Sequence, residues 1–185
     1  MTTYSIAQLT SKLESGYLPE YLHFWGHCKS KGEYADKSCL SQWYPSNFVL
    51  DGVTYRTAEQ YMMAAKARLF DDPVALDKIL NCATPAIAKK LGRGVKGHTD
   101  SVWLAQRSQI VVAGNLAKFS QDPAFAAFLL STKDAVIVEA SPVDKIWGIG
   151  MAYDHPDSNT PSKWQGLNLL GFALMEVRDD LRGAK

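Results

Sequence analysis

The stretch FVLDGVTYRTAEQYMMAAKARLF, residues 48–70, constrains the fold more than any other part of the chain. Asp51-Gly52 supplies the positive φ angles of a tight turn, and the β-branched and aromatic residues on either side read as paired strands. TAEQ follows at once and forms a capping box, with Thr57 as cap and Gln60 three residues on. The helix then runs through EQYMMAAKARLF. A hairpin joined directly to a helix predicts mixed packing of the α+β class.

Punctuation elsewhere adds helices around this unit. Ser5 and Gln8 form a capping box for a short helix over 5–15, with Ile6, Leu9 and Leu13 on one face. Asp72-Pro73, Thr84-Pro85 and Asp122-Pro123 each place a cap before a proline at the first helical position. Asp100 is expected to cap a long helix over 101–118, and a last helix spans about 168–182. DAVIVEA reads as a short apolar strand. YLHFW and LSQWYP read as strands or extended pieces around the polar loop KSKGEYADKS, and 141–166 is long and irregular. The sum is a single compact, mostly helical α+β domain with a small sheet or hairpin. Its 185 residues suit one domain, with residues 1–22 as an N-terminal extension helix and 24–182 as the main body.

A net charge of +1 offers long nucleic acid or an anionic membrane little attraction. Residues 86–119 are locally basic: Lys89, Lys90, Arg93, Lys96, Arg107 and Lys118 face Asp100 alone, a net of +5. That patch suits a small anion or a short run of phosphates. Three cysteines without a CxxC pair, a polar start and no apolar run of membrane length lead to an expectation of reduced thiols and a cytoplasmic protein.

Several groups could carry chemistry. Glu59 and Lys66 are seven apart on one helix, so nearly on one face, with Cα atoms about 10.5 Å apart. They either grip two ends of a ligand or are two surface charges of an amphipathic helix. LGRGVKGH is either a phosphate-binding loop or a solvated helix end closed by Gly92. Within it Arg93 and Lys96 are the expected phosphate contacts, and Lys89 and Lys90 the expected solvated helix charges. Trp103 and Arg107, four apart, either hold a base and a phosphate or are a core tryptophan with a snorkelling arginine. His23, His27, Cys28 and Cys39 match no common zinc spacing. Asp144 and Trp147 sit in a loop after a strand, where function concentrates, although a tryptophan there could simply plug the core.

Five blocks, kept in order, give the chain a family resemblance. SQWYPSNFVLDGVTYRTAEQYMMAAKARLF, KKLGRGVKG, KF, VEASPVDKIWGIG and WQGLNLLGFALMEVR resemble the NADAR, or YbiA-like, family over roughly residues 24–182. The resemblance implies a compact helix-rich α+β fold, no metal or other cofactor, and N-glycosidase activity. It implies catalytic roles for Glu59, Lys66 and Asp144, and substrate contacts from Asn47, Arg93, Trp147, Gly148, Trp164 and Asn168, with Gly166 in the WxGxN block. Lys96, Trp103 and Arg107 join the expected substrate contacts from the basic stretch and the helix after it. Glu59, Lys66, Asp144 and Trp147 are expected to line one pocket. Many members have histidine after the glutamate, whereas this chain has Gln60, which leaves Glu59 as the acid–base candidate.

The substrates so implied are small phosphorylated N-glycosides, such as phosphoribosylamino intermediates of riboflavin synthesis, or ADP-ribose on guanine in nucleic acid. A non-catalytic ADP-ribose or nucleotide reader is the alternative of another class. Near-neutral charge favours the small substrate over long nucleic acid.

Overall fold

Local signals explain most of the elements in the computed structural model, which describes residues 4–28 and 35–183. Helix α1 (Ile6–Glu14) is capped by Ser5, whose side chain accepts from the Gln8 amide. Strand β1 (Tyr21–Phe24) follows. Residues 29–34 of the expected polar loop lie outside the described residues. LSQWYP is not a strand: a 3-10 turn, Lys37–Leu40, capped by Asp36, leads into further turns.

Strands β2 (Phe48–Leu50) and β3 (Val53–Tyr55) pair antiparallel, with Phe48 opposite Tyr55. Their turn places Asp51 at φ 51° and Gly52 at φ 74°, as the Asp-Gly pair requires. Helix α2 (Ala58–Leu69) starts at Thr57, whose side chain accepts from the Gln60 amide. Gln60 turns away from the helix N-terminus. Its Oε1 accepts from the Arg56 amide, and its Nε2 donates to the carbonyls of Ile79 and Leu80.

Helices α3 (Pro73–Leu80), α4 (Pro85–Arg93), α5 (Asp100–Gln121) and α6 (Pro123–Ser131) come next. The cap of α5 is Thr99 rather than Asp100. Strand β4 (Val136–Glu139) then pairs in parallel with β1, in the register Tyr21 to Val136 through Phe24 to Glu139. Helix α7 (Leu169–Gly183) closes the chain. The small sheet is therefore two separate two-stranded units, and α2 to α6 form the crossover between β1 and β4.

The core surrounds α2, which is buried on nearly all sides. Two glycines let helices approach it. A Cβ at Gly92 of α4 would fall 2.0 Å from Met63 Sδ, and one at Gly114 of α5 would fall 2.3 Å from the Tyr61 ring. The buried Lys118 of α5 donates to the carbonyls of Cys39 (2.6 Å) and Ser41 (2.9 Å), fixing the segment that leads to Trp43. Among the described residues no helix is long and apolar enough to cross a membrane.

Candidate active site

Three segments meet at the N-terminal end of α2. The Glu59 amide donates to the Gln42 carbonyl (2.9 Å), which ties the α2 start to the segment bearing Trp43. Strand β4 delivers Glu139 at its last position, and the loop after it delivers Asp144. Helix α4 adds Lys89 and, at its end, Arg93.

Glu59 is only 3% exposed, and its Oε1 is buried without a hydrogen-bond partner. Burial pushes its carboxyl up to about 7, and the nearby Asp144 carboxylate adds to this. Lys89, a hydrogen bond from Trp43, and Arg93 all act the other way. Glu139 likewise has a buried, unpartnered Oε2. Desolvation, then Asp144 and Glu59, push it up to about 8, while Lys89 opposes them. Two carboxyls that repel each other in a dry site hold a proton at neutral pH.

Asp144 organises its own loop. Its Oδ1 accepts from the amides of Ile146 (2.9 Å) and Trp147 (2.8 Å), and its amide donates to Ser141 Oγ. The aspartate three residues before Trp147 thus sets the turn that places the indole.

Lys66 lies two turns along the same face of α2 from Glu59, with Met63 packed on Gly92 between them. It is 9% exposed, and its ammonium sits 5.4 Å from the centre of the Trp103 ring. Desolvation lowers its pKa, against a smaller opposing effect of Asp100. The expected residues thus fall into an acid end, where Glu59 and Asp144 are joined by the unexpected Glu139, and a lysine end, where Lys66 meets Trp103. One turn beyond Trp103, Arg107 is partly buried, and its pKa is lowered by desolvation.

Several of the expected contacts have partners within the fold. Asn168 is wholly buried with φ 51°, and its carboxamide is used internally: Oδ1 accepts from the Glu139 amide (3.0 Å) and Nδ2 donates to the Ile137 carbonyl (2.9 Å). Gly148 is buried for packing, since a Cβ there would fall 2.7 Å from the Glu139 carbonyl oxygen. The Trp164 indole N–H donates to the Ser158 carbonyl, so its polar edge is occupied. The glycine-rich stretch is not an open loop of free amides. Gly92 and Arg93 are helical, and the Lys96 amide donates to Asp72 Oδ2. Arg93 and Lys96 keep exposed side chains, and Asn47 is exposed just before β2.

Lys89 is corrected in the other direction. It is partly buried, acts on both Glu59 and Glu139, and lies 5.8 Å from the Trp43 ring centre, whereas Lys90 is exposed. Glu139, Lys89 and Trp43 join the candidate cluster, and the sequence reading gave none of them a role in it. The available signal for Glu139 was an acid ending an otherwise apolar strand. Among the described residues no group of His, Cys, Asp and Glu could hold a metal. His23 meets the Ser158 carbonyl, His27 packs on Trp43, and the Cys39 carbonyl accepts from Lys118.

Residues 23–182 match the NADAR domain family. The chain belongs to that family. It is 42% identical over 166 residues to N-glycosidase R617 of Acanthamoeba polyphaga mimivirus, covering 87% of this chain and 96% of that protein. It is 32% identical to Protein irg-1 of Caenorhabditis elegans, covering 80% and 78%. N-glycosidase YbiA of Escherichia coli is 30% identical, covering 80% and 82%. The NMR structure of E. coli YbiA superposes with a TM-score of 0.67 at 26% identity, covering 91% of this chain and 89% of that one. The α+β fold is therefore the YbiA-like one, and α1 precedes the residues that the NADAR family model matches.

Proposed function

We propose that this chain hydrolyses the C–N bond of a small phosphorylated N-glycoside, a phosphoribosylamino compound of the kind found among riboflavin intermediates. Hydrolysis of N-glycosyl bonds as a class follows from its family and from relatives named N-glycosidases. The choice of a small substrate rests on the near-neutral net charge.

One observation carries the chemistry: two carboxyls, Glu59 and Glu139, are each buried with an unpartnered oxygen beside Asp144. Buried carboxyls without partners have their ionisation opposed by the fold, which is how catalytic acids are tuned. In the proposed reaction Glu139, protonated near neutral pH, gives its proton to the glycosidic nitrogen. The C–N bond breaks with its electron pair leaving on nitrogen. The ionised Glu59 faces the oxocarbenium-like carbon and takes a proton from the attacking water. The products are the sugar phosphate and the free amine; Glu59 releases the proton it took from water and Glu139 takes one up, which restores the starting state. Arg93 and Lys96, exposed at the end of α4 and just beyond it, suit the substrate phosphate.

Lys66 permits a second route. A glycosylamine opens to an imine, and a desolvated lysine can exchange with it to hold the sugar as a Schiff base. The lowered pKa of Lys66 favours the required neutral amine.

The test is a product screen. Pure protein is incubated separately with a phosphoribosylaminopyrimidine and with DNA carrying ADP-ribosylated guanine, and released sugar phosphate or ADP-ribose is measured. Release of sugar phosphate alone is the expected outcome. Release of ADP-ribose alone would replace the small substrate with the nucleic-acid one, and binding without release would favour a reader.

A further inference from the structure

Lys118 of α5 is 1% exposed, yet its side chain ends in a charge. Among the described residues no carboxylate forms an ion pair with it. Its ammonium is held by backbone and ring faces. It donates to the carbonyls of Cys39 and Ser41, and it lies 5.1 Å from the centre of the Phe119 ring and 5.9 Å from that of Tyr44. Burial lowers its pKa, so the fold works against the charge. An apolar side chain of similar length would avoid that cost. Such a side chain could not hold two carbonyls of one short segment in fixed places.

The segment so held ends at the acid end of the candidate site. Ser41 is followed by Gln42, whose carbonyl accepts from the Glu59 amide at 2.9 Å. Trp43 comes next, and a hydrogen bond from its side chain lowers the Glu59 pKa. Lys89 lies 5.8 Å from the centre of the Trp43 ring. The charges that act on Glu59 come from other elements: Lys89 and Arg93 on α4, Asp144 in the loop after β4, and Glu139 on β4 itself. Lys118 bonds to the segment and not to Glu59.

We infer that Lys118 is a positioning residue for the glycosidase centre: through the carbonyls of Cys39 and Ser41 it sets where Gln42 and Trp43 meet Glu59. It touches neither the candidate acids nor the space between them, and it acts through the five residues 39–43.

The test is a pH titration of isotope-labelled full-length protein in which the side-chain carboxyl carbons are followed by NMR, with Glu59→Gln and Glu139→Gln assigning the two signals. Lys118→Met should raise the Glu59 pKa by about half a unit to one unit, because Trp43 no longer sits where it lowers it. Trp43→Phe should raise it at least as far, and the double variant should go no further than Trp43→Phe alone. Glu139, on which Trp43 does not act, should not rise. Additive shifts, or Glu139 rising together with Glu59, would mean that the lost charge acts through space, and would overturn the inference. So would an unmoved Glu59 in a folded Lys118→Met. Circular dichroism checks the fold of each variant. If Lys118→Met does not fold, Lys118→Gln, which keeps an N–H donor, takes its place; loss of the fold in both would make Lys118 a residue of the core and overturn the positioning role. In turnover, kcat of the folded Lys118 variant should fall about 10–100-fold while KM stays within about twofold. That kinetic consequence rests on the proposed hydrolysis, whereas the titration needs no substrate. An inactive wild type would therefore count against the reaction alone, and an unmoved Glu59 against the positioning role alone.

Discussion

Asn168 stands in for a missing strand beside Glu139. β4 has β1 on one edge, and on the other the Asn168 carboxamide accepts from the Glu139 amide at 3.0 Å and donates to the Ile137 carbonyl at 2.9 Å. The Asn168 amide donates to the Gly148 carbonyl, so the same residue ties the Asp144–Trp147 loop to the strand. Its positive φ also suits asparagine better than most residues. Its carboxamide and amide are committed to holding the β4 edge and that loop together.

Asn168→Ala should therefore cost stability before it costs binding. It strands a buried N–H and a buried C=O, each worth about 1–3 kcal/mol when left unpaired. Denaturant unfolding should show a loss of roughly 2–4 kcal/mol. KM should stay near the wild-type value in the folded fraction while kcat falls. A large rise in KM with unchanged stability would instead put Asn168 in contact with substrate.

The acid pair should leave a mark on stability. The carboxyls of Glu59 and Glu139 are raised to about 7 and about 8, above their unfolded values. The neutral forms are favoured in the folded protein. The resulting stabilisation is full below the unfolded pKa and is lost as pH rises through the folded values. Glu139→Gln removes the ionisation that burial opposes. The variant should match wild type near pH 5 and exceed it near pH 8 by on the order of 2 kcal/mol. Thermal melts of both proteins at the two pH values check this, and the contribution of the buried Lys118 cancels in the comparison. Equal differences at pH 5 and pH 8 would mean that Glu139 does not titrate in this range.

Much of this architecture is legible in the sequence because its signals are local. The Asp-Gly turn, the Thr57 box and the three cap-proline pairs act over three or four residues, and each appears where expected. The segment LSQWYP misleads because its aromatic residues suggest a strand, while Asp36 caps a 3-10 turn just before it. The site is harder to read because its decisive properties are nonlocal. Glu139 ends an apolar strand, and its importance depends on α2 and α4 arriving beside it. Lys89 and Lys90 are indistinguishable in sequence, yet one faces two carboxyls and the other faces solvent. Asn168 belongs to a recognisable motif, but its role as a strand substitute appears only once β4 and α7 are together.

Glu59→Gln should preserve the fold and remove most turnover. The amide keeps the size and hydrogen-bonding capacity of the acid but cannot face a developing cation with negative charge. Loss of one such group commonly costs about 10²–10³ in rate. Steady-state release of sugar phosphate measures it. A variant within a few-fold of wild type would transfer the stabilising role to Asp144 or Glu139.

Lys89 and Lys90 give a paired comparison. Lys89 lowers the pKa of both Glu59 and Glu139, so Lys89→Met should raise both further. Because activity needs one carboxyl protonated and one ionised, its alkaline limb should move to higher pH, and its acid limb should move up as well. The expected displacement is about half a unit to one unit. Lys90→Met, at an exposed position, should leave the profile in place. Equal displacements in the two variants would indicate a general effect of surface charge.

Lys66 separates the two chemical routes. It is 9% exposed, packed against Trp103, and held below the usual lysine pKa by desolvation. If its amine exchanges with a ring-opened glycosylamine, borohydride added during turnover should reduce the imine and leave the sugar phosphate covalently on Lys66, detectable as an added mass on the peptide that contains it. Lys66→Arg should abolish trapping and turnover together, because arginine keeps the charge but forms no imine. If Lys66 instead serves as a cation against the substrate, no adduct forms and the arginine variant keeps part of its activity. The lowered pKa favours the imine, since a neutral amine is the nucleophile and its conjugate acid is not. The distance along α2 favours direct hydrolysis, since about 10.5 Å separates the Glu59 and Lys66 Cα atoms and the acid pair sits at the far end. The two facts are compatible only if the side chains converge on one carbon: the amine leaves from the same C1 that Lys66 attacks, so Lys66 Nζ must reach that carbon while Glu139 protonates the nitrogen bound to it. An adduct in wild type and an inactive, untrappable Lys66→Arg would establish that route, and an active arginine variant would assign the whole reaction to the carboxyl end.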